Sequence, residues 1–106
     1  MFANNAKGFH FRFANGVTVS VQYGAGNYCE HRDEDFMAPV QRLVKGGAWE
    51  SKDAELCVKA PNAEHWMDPY GWVTPEQAAL ALGWIASNAW DEDAFMDFME
   101  SIDANR

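Results

Sequence analysis

The sequence predicts one α+β domain, in which a small antiparallel sheet, formed by a hairpin at 9–23 and a strand at 54–59, packs against two C-terminal helices at about 75–88 and 91–104. Three patterns carry that expectation. Residues 9–22 alternate apolar and polar side chains around an Asn-Gly pair, Val73-Thr74-Pro75-Glu76-Gln77 has the form of a helix start, and Phe95, Phe98, Met99 and Ile102 recur with helical period. At 106 residues, 48% of them apolar, the chain 1–106 has room for one core and enough apolar side chains to fill it.

The hairpin can be read in register. A two-residue turn at Asn15-Gly16 would set Phe13 against Thr18 and Phe11 against Ser20, mixing apolar with polar partners. A three-residue loop, Ala14-Asn15-Gly16 with Gly16 left-handed, sets Phe13 against Val17, Phe11 against Val19 and Phe9 against Val21. One face is then apolar, and His10, Arg12, Thr18, Ser20 and Gln22 take the other. Gly24-Ala25-Gly26-Asn27 ends the second strand. Pro39, Val40, Leu43 and Val44 predict a helical turn or two within 37–44, stopped by Gly46-Gly47. Ala54 to Lys59 alternates again, with Ala54, Leu56 and Val58 inward and Cys57 turned away from the core with Glu55 and Lys59. Gly71-Trp72-Val73 is placed for a short fourth strand or bridge.

At the first helix Thr74 is the cap, Pro75 fits the first turn, Gln77 completes a capping box and Val73 is set to staple onto Ala78. Leu80, Ala81, Trp84 and Ile85 are its expected packed side, and Asn88 its stop. The second helix begins near Asp91 and presents Phe95, Phe98, Met99 and Ile102 as an apolar stripe.

Charge is uneven along the chain. Residues 1–59 hold seven acids and seven bases, whereas residues 60–105 hold nine acids and no lysine or arginine, so the whole net charge of −8 arises downstream. Such a surface argues against direct nucleic-acid binding, which rests on cations meeting phosphates, and its natural complement is a partner with a basic face. On the second helix Asp93, Asp97 and Glu100 stand at four- and three-residue spacings, each like-charge neighbour costing about 0.2–0.5 kcal/mol. Glu100 and Asp103 lie near the C-terminal end, where the helix dipole disfavours anions. Glu92, beside Asp91 and Asp93, sits at the end where acids are welcome. Trp66, Tyr70 and Trp72, in a Pro/Gly-punctuated loop, are candidate aromatic anchors beside this surface, or else a lid over the sheet.

A second constellation is Cys29, His31, Cys57 and His65. The residue types suit zinc, but the spacings match none of the usual finger patterns. Cys29 as a nucleophile would need a nearby base, and His31, two residues on, points away from it in an extended chain, so the reading requires that the loop curl or that His10 or His65 serve. The structural alternative is that the glycines of 24–32 shape a bend, Asn27 caps it, Tyr28 and Cys29 tuck inward and Arg32 pairs with Glu30 or Asp33. The opening residues lack the apolar stretch of a signal peptide, and no apolar run approaches the ~20 residues of a membrane span. The expectation is a cytoplasmic protein without a membrane partner, its two cysteines reduced.

The stretches FANGVTVSVQYGAGNYCEHRD, SKDAELCV and GWVTPEQAALALGWIAS resemble a group of short proteins encoded by bacteriophages, over most of residues 8–88. The group has no agreed activity, so the resemblance carries over no catalytic residue and no cofactor. It implies a setting, the host cytoplasm, and a mode of action: small accessory phage proteins often bind and block host machinery, including defence systems. The expected function is a non-enzymatic inhibitor whose acidic face, Glu92, Asp93, Asp97, Glu100 and Asp103 with Trp66, Tyr70 and Trp72, docks on a basic host protein such as a nuclease or CRISPR effector in the manner of an anti-CRISPR or anti-restriction DNA mimic. The alternative is a small zinc or cysteine enzyme at Cys29, His31, Cys57 and His65, and self-association into a homodimer through exposed tryptophans is a third.

Overall fold

The computed structural model describes residues 8–35, 37, 41–42, 45–46 and 50–103. Within them the elements follow as β1 (Gly8–Arg12), β2 (Thr18–Gln22), β3 (Ala54–Lys59), β4 (Tyr70–Val73), α1 (Pro75–Ser87) and α2 (Glu92–Asp103). The strands form one antiparallel sheet in the order β1-β2-β3-β4, so the α+β expectation holds. The short helix expected within 37–44 falls mostly outside the described residues; its described ends carry helical bonds from the Gln41 N–H to Met37 O (2.9 Å) and from the Lys45 N–H to Gln41 O (3.2 Å).

The hairpin adopts the register that pairs apolar with apolar, Phe9 with Val21 and Phe11 with Val19. Gly16 has φ +90°, which a glycine takes without the steric cost of a Cβ. The Phe13 N–H closes the loop on Val17 O at 2.8 Å. Asn15 does two jobs there. Its Oδ1 accepts from the Val17 N–H (3.1 Å), and its Nδ2 donates to Ile85 O (3.0 Å), satisfying a carbonyl in the last turn of α1, 70 residues away in sequence.

One face of the sheet is the core. Val17, Val19, Val21, Leu56, Val58 and Val73 are buried against Ala81 and Ile85 of α1 and Phe95 and Met99 of α2. Phe95 is the hub, fully buried with the rings of Trp90, Trp84 and Tyr70 at 5.3, 5.6 and 6.0 Å. Helix α1 starts with a complete capping box: Thr74 Oγ1 accepts from the Gln77 N–H (3.2 Å) while Gln77 Oε1 accepts from the Thr74 N–H (3.0 Å). It stops where Asn88 Nδ2 donates to Trp84 O (2.8 Å). Helix α2 is capped by Asp91, whose Oδ1 accepts from the Ala94 N–H at 3.0 Å.

Leu80 corrects the expected packed side of α1, because it is 53% exposed. The buried row is Gln77, Ala81, Ile85. That row packs toward the sheet and Leu80 falls outside it, while Trp84 turns toward α2 to stack on Phe98 (5.9 Å). Accordingly Phe95→Ala is expected to cost about 3–5 kcal/mol in a urea titration. Leu80→Ala is expected to stay within about 0.5 kcal/mol of wild type, a small change that a core position would not allow.

Candidate functional site

Two turns of apolar periodicity in α2 face the core, so its remaining positions must face water. Asp93, Asp97 and Glu100 fall on that outer side, all exposed, and the last turn of the helix has no basic residue. Beside them, between Pro69–Val73 and α2, runs a groove of about 450 Å³. Pro69, Tyr70, Met96, Met99 and Ile102 supply an apolar lining, and Asp97, Glu100 and Asp103 line it with carboxylates. Tyr70, half-buried, has its phenol pushed above the ordinary range, first by burial and then by the charge of Glu92. It therefore stays a neutral hydrogen-bonding group in the groove wall.

Of the candidate anchors, only Tyr70 joins these acids. Trp66 lies on the far face of the sheet with its ring 6.0 Å from that of His10. Trp72 is carried by a bulge in which Gly71 and Trp72 stand opposite Glu55, and its φ of +50° is unusual for a bulky residue. That turn aims its ring at Tyr28 (5.7 Å), and its N–H donates to Tyr28 O at 2.8 Å. Both tryptophans are exposed. Met99, read from the sequence as part of the apolar stripe, also lines the groove, and Met96 is the groove residue the sequence reading did not single out. Met96, at the border of the apolar stripe and exposed, is the signal that was available.

The segment 24–32 is a latch. Asn27 Oδ1 accepts from the Gly24 N–H (3.0 Å), and the Arg32 N–H donates to Cys29 O (3.0 Å), so the bend closes on itself as expected. It is then tied to the approach and start of β3: Asp53 Oδ1 accepts from the Glu30 N–H (2.7 Å) and Glu55 Oε2 from the Tyr28 N–H (3.0 Å). Cys29 is buried, but Tyr28 corrects the expectation of an inward ring, because Gly71 packs on its Cβ side and leaves the ring outside. Arg32 sets its guanidinium over that ring at 5.2 Å, where the expectation was an ion pair with Glu30 or Asp33.

The four candidate metal or catalytic residues stand apart in function. His31 bonds Glu34 and Glu50 O, with Glu30 at 3.2 Å. Cys57 lies on the outer sheet face with Sγ 3.6 Å from Glu55 Oε1, and His65 is exposed in the loop before β4. Among the described residues no three His, Cys, Asp or Glu side chains are placed to hold one metal ion. Burial pushes the Cys29 thiol up, and Asp53 and Glu30 add to the effect against opposing hydrogen bonds from His31 and Ser51. Burial and then Glu55 push Cys57 up to about 11. Both shifts favour the thiol over the thiolate at neutral pH. A larger groove of about 600 Å³ lies between the first half of α1, the sheet residues Phe9, Val21, Ala54 and Val73, and the approach to β3 at Glu50, Ser51 and Asp53, and none of the candidate residues lines it.

No protein-family model, curated protein or solved structure matches the chain. Among the described residues no helix is long and apolar enough to cross a membrane.

Two measurements check these electrostatics. Burial depresses the His31 pKa, but the Glu50 carbonyl and the Glu34 and Glu30 carboxylates outweigh it and leave the value raised. A raised value gives stability that is full below the unfolded pKa of about 6.5 and is lost as pH rises through the folded one. The destabilisation caused by His31→Gln should therefore be larger near pH 5.5 than near pH 8.5, read as the difference in Tm. For Cys57, with its thiol near 11, alkylation of the folded protein at neutral pH should run on the order of 100-fold slower than in denaturant.

Proposed function

We propose that this chain is a non-enzymatic binding protein, which docks the acidic side of α2 and the adjoining groove onto a basic surface of another protein. The observation that carries the reading is the groove itself, because it sets three carboxylates beside an apolar lining. Lysine and arginine side chains have the matching form, an aliphatic stem that lies on Met96 or Ile102 and a charged head that meets Asp97 or Glu100. Like charges crowd α2 without a lysine to relieve them, an arrangement that helix stability alone does not favour. A basic partner relieves it.

The resemblance to short phage proteins supplies the biological side of the proposal. The partner is then a host protein with a basic face, such as a nuclease or CRISPR effector of a defence system, and the acidic side of α2 inhibits it by taking the place of nucleic-acid phosphates. The complex forms in the host cytoplasm and needs neither nucleic acid nor a cofactor. The raised thiols, and the fact that among the described residues no three of these side chain types are placed to hold one metal ion, favour binding over zinc or cysteine chemistry.

The test is a pull-down from host lysate, repeated with the triple variant Asp93→Lys, Asp97→Lys, Glu100→Lys. The partner should be retained at low salt, weaken by about tenfold or more as salt rises, and be lost with the variant. Capture that is indifferent to both salt and charge reversal overturns the proposal.

A further inference from the structure

The geometry points to a second surface, the outer edge of β1, which no strand covers among the described residues, and to its occupant: β1 of a second copy of this chain, paired antiparallel across a twofold axis at His10. This rests on observations separate from the acidic face.

The two edges of the sheet are unlike. β4 is blunted, since Pro69 precedes it and its pairing with β3 is broken by the bulge at Gly71-Trp72. Prolines and bulges are the usual means by which a sheet edge refuses another strand. β1 has neither. Its register with β2 runs unbroken from Gly8 opposite Gln22 to Arg12 opposite Thr18, and among the described residues no strand lies on its other side. The bond from the Phe13 N–H to Val17 O sets the alternation. Backbone groups of Phe9 and Phe11 face β2, and those of Gly8, His10 and Arg12 face outward, available to a new neighbour.

The strand is also complementary to itself. Gly8-Phe9-His10-Phe11-Arg12 reads Phe-His-Phe in both directions about its centre, the symmetry that isologous pairing of a strand with its own copy requires. With His10 opposite His10, the outward backbone groups meet in register, and Phe9 of each chain stands opposite Phe11 of the other. These two rings, 41% and 38% exposed and 5.2 Å apart, lie on the apolar face where the helices do not cover them. On the other face His10 carries Trp66 beside it, so both sides of the joint are aromatic.

Charge and area set how strong the association is. Two chains of net charge −8 repel, but the surplus lies wholly beyond residue 59, and β1 itself carries only Arg12 and His10. β1 itself thus brings bases and no carboxylate to the joint, and the nearest acids on its apolar side are Glu50 and Asp53, which line the groove that Phe9 shares with α1. A five-residue edge spans roughly 17 Å, which keeps the joint at the low end of interface sizes, below ~1,200 Å² in total, where association is weak and reversible. Salt screens the overall repulsion, so it tightens the dimer while it loosens docking on a basic partner.

The experiment is sedimentation velocity on the full chain from about 1 µM to about 1 mM, a range that spans weak dimer affinities. The expected result is a concentration-dependent shift from one to two chains, favoured by salt, with hydrogen-exchange protection at the His10 and Arg12 amides rising alongside. Phe9 and Phe11 amides should be protected throughout. The decisive pair of variants is Phe9→Glu with Phe11→Glu, and Phe9→Lys with Phe11→Lys. Each should be folded by circular dichroism and monomeric alone, and the two mixed should form a heterodimer. A wild type that stays monomeric at the top concentration overturns the inference, and so does a dimer that survives in either variant alone. If the variants do not fold, concentration-independent protection at His10 and Arg12 in the wild type overturns it.

Discussion

Burial of one apolar sheet face is the constraint on which the rest of this molecule depends. β2 lies between β1 and β3, and Val17, Val19 and Val21 leave almost no surface to water only because two helices lie over them. Those helices have 13 and 12 residues, lengths at which an isolated helix is marginal. Each therefore needs the sheet as much as the sheet needs it. Phe95 is where the dependence is densest, touching Trp84 from α1, Trp90 from the connection and Tyr70 from β4. Asn15 adds a polar tie between the hairpin tip and the end of α1.

The outer surface follows from that inner one. Once Phe95, Met99, Phe98 and Ile102 turn inward, a helix of period 3.6 has no choice but to present Asp93, Asp97 and Glu100 outward, and their crowding is a property of the sequence written onto that geometry. The acids of the first half behave differently. Asp53 and Glu55 accept backbone N–H groups of the 24–32 segment, and Glu30 and Glu34 gather around His31. Those carboxylates hold a loop in place. The ones on α2 face outward from a helix with no basic residue in its last turn, and that division separates scaffold from candidate surface within one small chain.

The 24–32 segment is held by contacts made within itself and with the residues around β3. Its cysteine is buried and its thiol is raised, its histidine is engaged by carboxylates and a carbonyl, and its arginine covers a tyrosine ring. Each group is satisfied where it stands. What the segment does is pack against Gly71 and hold the bulge that turns Trp72 outward, so its influence on the surface is through shape.

Much of the architecture was legible along the chain, because it rests on local rules. The hairpin register followed from matching apolar partners around a glycine that tolerates positive φ, the start of α1 from Thr74, Pro75 and Gln77, and the stripe of α2 from its period. The acidic imbalance was legible too, being a matter of composition. What only the tertiary structure decided was which of these features meet. Tyr70 joins the α2 acids, whereas Trp72, two residues on, stands on the other face because the bulge at Gly71-Trp72 reverses the alternation of β4, and Trp66 lies beside His10 from the loop before that strand. Leu80 faces outward because the buried row of α1 is Gln77, Ala81 and Ile85, and Phe9 and Phe11 are left partly open because the helices pack over the inner strands. Side-chain period is set by neighbours along the chain, but coverage is set by elements far apart in it, and no local pattern records how far one element extends over another.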